Sequence, residues 1–203
     1  MRRRAFLQTA VAAAFQGRAQ QRPNILLVIA DDLAAWMLGC YGNTEILTPH
    51  IDRMAAQGVR FRNHFVCTPI CSASRATLFT GRTPLQHGIH DFLTAKPIEQ
   101  PPQGQVAPPE SFRQEVFLSD ILAGAGYTCG YSGKWHMGGE EKPQRDFTYW
   151  YAMGGGSSRY QDPAMYTHDR GRVEEKGYLA DLIHSSAIRF IEQARQKQNP
   201  WFA

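Results

Sequence analysis

The chain has 203 residues, 43% of them hydrophobic and 20% charged, a composition that supports a packed core and excludes a wholly disordered polymer. The length suits one domain or part of a larger one. Four cysteines are too few for a disulfide scaffold, and no apolar run approaches the roughly 20 residues that span a bilayer. The net charge of +4 does not mark a nucleic-acid surface, because five of the 22 basic residues and none of the 18 acidic ones lie in the first 22 positions, leaving the remainder at net −1.

Residues 1–21 read as an export signal. Arg3-Arg4 precedes Phe6-Leu7 and a short, weakly apolar stretch from Ala10 to Phe15. A charged start, a brief apolar centre and small residues beyond it make such a signal. The paired arginines favour the twin-arginine route, with its translocase as a partner and a periplasmic or secreted destination.

The body, residues 22–203, alternates strand and helix signals. Asn24 to Ala30 (NILLVIA) is a continuous apolar run that predicts a strand covered on both faces. It ends in Asp31-Asp32, at the strand end where open α/β sheets place their ligands. Thr48-Pro49 opens a predicted helix that stops at Gly58. Val59, Phe61 and Phe65 suggest a strand, and Ser74 to Phe79 a short helix closed by Gly81. Thr94 to Pro109 is rich in Pro and Gln and reads as a loop. A helix over 115–123, a strand over 127–132 and a loop over 133–136 follow. The run Gly154 to Ser158 is a flexible loop. Tyr178 to Gln196 is an amphipathic helix, and Trp201-Phe202-Ala203 begins another strand. The fold class predicted is α/β, a mostly parallel sheet flanked by helices. The chain stops where a strand begins, which reads as a truncated domain.

The chemistry-bearing segment is Cys71-Ser72-Ala73-Ser74-Arg75, followed by Thr80-Gly81-Arg82. Cys71 lies at a helix N-terminus, where the dipole and free N–H groups favour negative charge. Arg75, one turn on, faces the same site. A cysteine there serves as a low-pKa nucleophile, a zinc ligand, half of a disulfide or the precursor of another group. Zinc is disfavoured for want of a Cys-x-x-Cys or a His pair. Cys129 and Cys40 are expected to be structural, and no Cys67–Cys71 disulfide is expected. His87 is read as structural. Trp135, Tyr149, Trp150 and Tyr151 are candidates for a sugar or aryl pocket, with core packing the default.

These motifs resemble the formylglycine-dependent sulfatase family of the alkaline-phosphatase-like superfamily. Its Cys/Ser-x-Pro/Ala-x-Arg signature is similar to Cys71 to Arg75, with Ala73 where Pro is usual. A second signature resembles Gly126 to His136, which ends Gly133-Lys134-Trp135-His136. Arg22 to Asp32 and Thr48 to Asp52 resemble further family segments, so the likeness covers everything after the leader, as the N-terminal part of a catalytic domain. The resemblance implies that a maturation enzyme oxidises Cys71 to formylglycine, whose hydrated aldehyde attacks sulfur. It implies that Arg75 holds the diol, that Lys134 binds the sulfate and that His136 accepts the proton that releases it. Asp31, Asp32 and the position-71 oxygen would ligate calcium. The substrate implied is a small-molecule or glycan sulfate ester. Two other readings stand beside it: a phosphonate or phosphate ester hydrolase of the same superfamily, and a catalytically inactive fragment.

Overall fold

The computed structural model describes residues 22–93 and 114–203. The export signal of residues 1–21 and the loop read over 94–109 lie outside the described residues. Two 3₁₀ turns, Ala35–Met37 and Gly39–Tyr41, precede α1 (Pro49–Gln57), α2 (Cys71–Thr80), α3 (Pro84–His87) and α4 (Leu118–Gly124). Then come β1 (Thr128–Lys134), β2 (Tyr149–Met153), β3 (Ala164–Thr167), β4 (Gly171–Glu174), α5 (Leu179–Arg195) and β5 (Trp201–Phe202).

The strands form one five-stranded sheet in the order β4-β3-β2-β1-β5. β1 pairs in parallel with both β2 and β5, whereas β2–β3 and β3–β4 are antiparallel. The sheet keeps the expected parallel part, β2-β1-β5 with the Ile25–Phe202 bridge beside it, and is mixed through one antiparallel addition. The β3–β4 hairpin carries the antiparallel half, and its exposed Gly171-Arg172-Val173-Glu174 edge lacks the apolar run of a buried strand.

Helices cover both faces. β2 is buried along its whole length. Its alternate residues serve two cores: Trp150 and Ala152 pack with Phe79, Phe117, Trp135 and Phe147 beneath α2 and α4, while Tyr149, Tyr151 and Met153 pack with Phe190 and Ala194 of α5. A strand apolar at every position is what two covered faces require. Trp135, Tyr149, Trp150 and Tyr151 are thus core residues, each less than a tenth exposed.

Helix α5 packs tightly on the sheet at Gly130. A Cβ there would lie 2.5 Å from the Phe190 ring, which is inside van der Waals contact. Gly130→Ala should lower stability by about 1–3 kcal/mol, the usual scale of overpacking. The measurement is the urea midpoint at unchanged m; a wild-type midpoint would show that the α5 contact yields freely.

Several expected elements change. The run 24–30 makes only a parallel bridge from Ile25 to Phe202, with Ile25 N–H donating to Trp201 O at 2.9 Å and Leu27 N–H to Ala203 O at 2.8 Å. Its ladder ends with the three residues it pairs against, and Leu26 and Val28 are exposed. No strand forms over 59–65, where Val59, Phe61 and Phe65 are exposed. The fourth helix starts at Leu118, not at 115, because Asp120 accepts the Phe117 N–H at 2.9 Å and sets the helix start there. The short helix α3, with its Thr83–Gln86 capping box, and the strands β2, β3 and β4 had no sequence counterpart. All four cysteines are free, and Cys129 is a buried thiol whose pKa burial raises to about 11.

Candidate active site

The parallel elements end on one side of the sheet, and their C-terminal ends meet there. Asp31 and Asp32 follow the segment paired to β5, Lys134 closes β1, and the Gly154–Ser158 loop follows β2. Together they line a cavity of about 620 Å³. This is the edge at which open α/β sheets bind ligands.

Arg75 reaches the cavity from α2, its guanidinium almost fully buried. Its Nη1 donates to the backbone carbonyl of Lys134, and its Nη2 lies 3.6 Å from Asp31 Oδ1. Its Nε is buried without a hydrogen-bond partner among the described residues, a donor left over for an anionic oxygen. Tyr131 also donates to the Lys134 carbonyl. Burial raises the Tyr131 pKa to about 12, so its hydroxyl keeps that proton at neutral pH. The carbonyl at the end of β1 is therefore gripped twice, and Lys134 is held in place.

The Lys134 Nζ donates to Asp31 Oδ2 at 2.7 Å. Partial burial pushes the Asp31 carboxyl up, but the Lys134 hydrogen bond and the charges of Lys134 and Arg75 outweigh it, so its pKa falls below the ordinary value. One carboxylate and two cations thus converge from segments far apart in sequence. Asp32 lines the same cavity. It and His136 have left-handed backbone, with φ of 54° and 53°, and such outliers concentrate at functional sites.

Cys71 is the first residue of α2, one turn before Arg75 and partly buried. It does not line the 620 Å³ cavity. His136 is buried and faces an adjoining cavity of about 400 Å³, which it shares with Glu140 and Ser158. Its Nε2 meets the Leu93 carbonyl at 2.8 Å, which fixes the proton on that nitrogen. Its Nδ1 is buried and unpartnered among the described residues. Burial lowers its pKa, and the nearby positive charges of Lys134 and Arg75 add to that, so the ring is neutral at neutral pH. Gly156 is pressed against it: a Cβ there would lie 2.4 Å from the His136 ring. The structure therefore joins Asp31, Asp32, Arg75 and Lys134 in one cavity and sets His136 beside the next.

Among the described residues no three or more His, Cys, Asp and Glu side chains gather as a metal cluster. Asp31 and Asp32 fit calcium in kind, since it prefers hard oxygen donors, but two residues supply only part of a shell of about 6–8 oxygens. His87 is structural, as expected: it is buried, its Nε2 lies 3.1 Å from Thr77 Oγ1 and its Nδ1 accepts the Ile89 N–H at 3.1 Å. Tyr160, Ser157, Ser158 and His184 also line the main cavity and were not foreseen as site residues. The recognisable signal was the Gly-Ser loop, once β2 is seen to lead into it.

The sulfatase family model matches residues 23–203. Steryl-sulfatase from Rattus norvegicus is 42% identical over 129 residues, which is 63% of this chain and 21% of that protein. An N-acetylglucosamine-6-O-sulfatase from Bacteroides thetaiotaomicron is 33% identical over 199 residues, 97% of this chain and 32% of that protein. A solved structure in complex with its substrate, D-glucosamine-2-N,6-O-disulfate, superposes with a TM-score of 0.73 at 32% identity, covering 90% of this chain and 33% of that one. The chain thus spans a fifth to a third of the length of these relatives.

Proposed function

The chain belongs to the sulfatase family, and from that premise we propose that it carries the anion-binding, nucleophile-bearing part of a sulfuric ester hydrolase. The observation that carries this reading is the convergence of Arg75 and Lys134 on one cavity, one helical turn from Cys71. A sulfate ester is anionic and repels a nucleophile, so fixed cationic donors must neutralise its oxygens. Arg75 offers the unpartnered Nε, and its Nη1 bond to the Lys134 carbonyl prevents the guanidinium from swinging away. Lys134 offers an ammonium on a nearly buried stem, positioned by the end of β1.

Asp31 and Asp32 are the residues that would hold a calcium ion, whose charge would offset the ester's anionic oxygens. Cys71, oxidised to formylglycine by a maturation enzyme, would supply a hydrated aldehyde that attacks sulfur and later expels sulfate without a second attack by water. His136 is neutral and keeps its Nε2 proton on Leu93 O, so its free Nδ1 is the atom that accepts a proton. The disulfated glucosamine bound to one structural relative and the N-acetylglucosamine-6-O-sulfatase both support a sulfated sugar as substrate.

The test is a comparison of initial rates on aryl sulfate and aryl phosphonate esters, using the matured full-length protein. Faster sulfate hydrolysis supports the reading; preference for the phosphonate overturns it in favour of the other ester class.

Export completes the proposal. The Arg3-Arg4 pair motivates passage through the twin-arginine translocase to the periplasm or beyond. Changing both to Lys should leave a fused reporter in the cytoplasm, and undiminished export would refute that route.

A further inference from the structure

The wall of the main cavity includes an aromatic ring that neither core cluster uses. Tyr160 is 72% exposed, although a ring of that size ordinarily gains by burial. It is nonetheless held firmly. Its carbonyl accepts the Leu179 N–H at 2.7 Å, Gln161 bridges Tyr178, and the Asp162 N–H donates to the Gly177 carbonyl at 2.9 Å. Tyr178 backs the ring: the two centroids are 6.3 Å apart and the planes differ by 20°. The segment is thus tied to the start of α5, and its exposed ring lines the cavity that Arg75 and Lys134 also line.

We propose that Tyr160 is the platform on which a sugar ring of the substrate stacks while its sulfate group reaches Arg75 and Lys134. The inference rests on the sulfuric ester hydrolase reading and assigns the residue that holds the sugar part of the substrate. A pyranose has an apolar C–H face and a rim of hydroxyls. The aromatic ring suits the face, and Ser157, Ser158 and His184 on the cavity wall suit the rim. A fused apolar ring system, such as a steroid, would stack equally well but would desolvate those three polar groups without pairing them, a cost that works against it. Rigid placement of Tyr160 also lowers the ordering cost of binding.

The experiment compares matured full-length wild type with Tyr160→Ala and Tyr160→Phe. The substrates are glucosamine 6-sulfate, galactose 4-sulfate and N-acetylgalactosamine 6-sulfate, with 4-nitrophenyl sulfate as a sugar-free ester. Inorganic sulfate serves as the competitive inhibitor that reads the anion site alone. For the sugar sulfate that wild type hydrolyses best, Tyr160→Ala should raise KM about tenfold, the scale of one lost stacking contact. Its inhibition constant for inorganic sulfate should not change, and Tyr160→Phe should behave as wild type, because the ring acts and the hydroxyl does not. An unchanged KM in Tyr160→Ala would overturn the platform, as would a parallel loss of sulfate inhibition. A wild type that hydrolyses 4-nitrophenyl sulfate but none of the sugar sulfates would overturn the sugar class and leave the hydrolase reading intact. Failure on every ester would remove that reading and this inference with it.

Discussion

Replacing Cys71 with Ala is expected to lower kcat by about 10⁶-fold, the scale on which removal of a covalent nucleophile acts. The expectation follows from its position as first residue of α2, one turn before the buried Arg75. A plain thiolate would form a thiosulfate-type adduct on sulfur with no internal route to release, whereas the oxidised residue has one. The fold should survive the change: the site is only partly buried, and Ala is the best helix former. Initial rates and the urea midpoint should be read on the same preparation. A near-wild-type rate would remove Cys71 from the chemistry, while loss of rate together with the midpoint would mean that the variant had only unfolded.

The second large effect is expected at Lys134. Lys134→Met keeps the aliphatic stem and removes the charge that meets Asp31 at 2.7 Å. kcat/KM should fall by about 10²–10³-fold, as when one preorganised donor to a developing anion is lost. Stability should change far less. Asp31 is 44% exposed, so solvent screens the pair, and its loss should cost about 1 kcal/mol or less. The contrast separates a ligand-binding lysine from a structural one. If the midpoint falls steeply while kcat/KM holds, the pair is structural and the anion site lies elsewhere.

Local chemistry made part of this site legible. Cys71 and Arg75 sit one turn apart on a single helix, and Asp31-Asp32 end an apolar run, so short windows of sequence single them out as candidates. Lys134 was legible through its Gly-Lys-Trp-His motif. Its contact with Asp31 spans 103 positions, and no local pattern encodes that distance. The same limit hid β2. Tyr149 to Met153 is buried on both faces, so alternation vanishes and its aromatics look like pocket walls. The β3–β4 hairpin was hidden for the opposite reason, since exposed edge residues carry little apolar signal. At Asn24 to Ala30 the apolar run promised a strand covered on both faces, yet its backbone pairs only with Trp201 to Ala203, and while Ile25 and Leu27 pack on the core, Leu26 and Val28 stay exposed. Tyr160 had no signal at all, because an exposed tyrosine becomes informative only when a cavity is seen beside it.

In the working enzyme, position 71 is expected to carry formylglycine in place of the cysteine thiol. Mass spectrometry of the peptide containing position 71, taken from active full-length protein matured in a host with the oxidising enzyme, tests it most directly. Conversion replaces the CH₂–SH side chain with an aldehyde, so the peptide should be lighter than the cysteine form and should react with hydrazides. An unmodified thiol at position 71 in a preparation with full sulfatase activity would rule formylglycine out as the nucleophile.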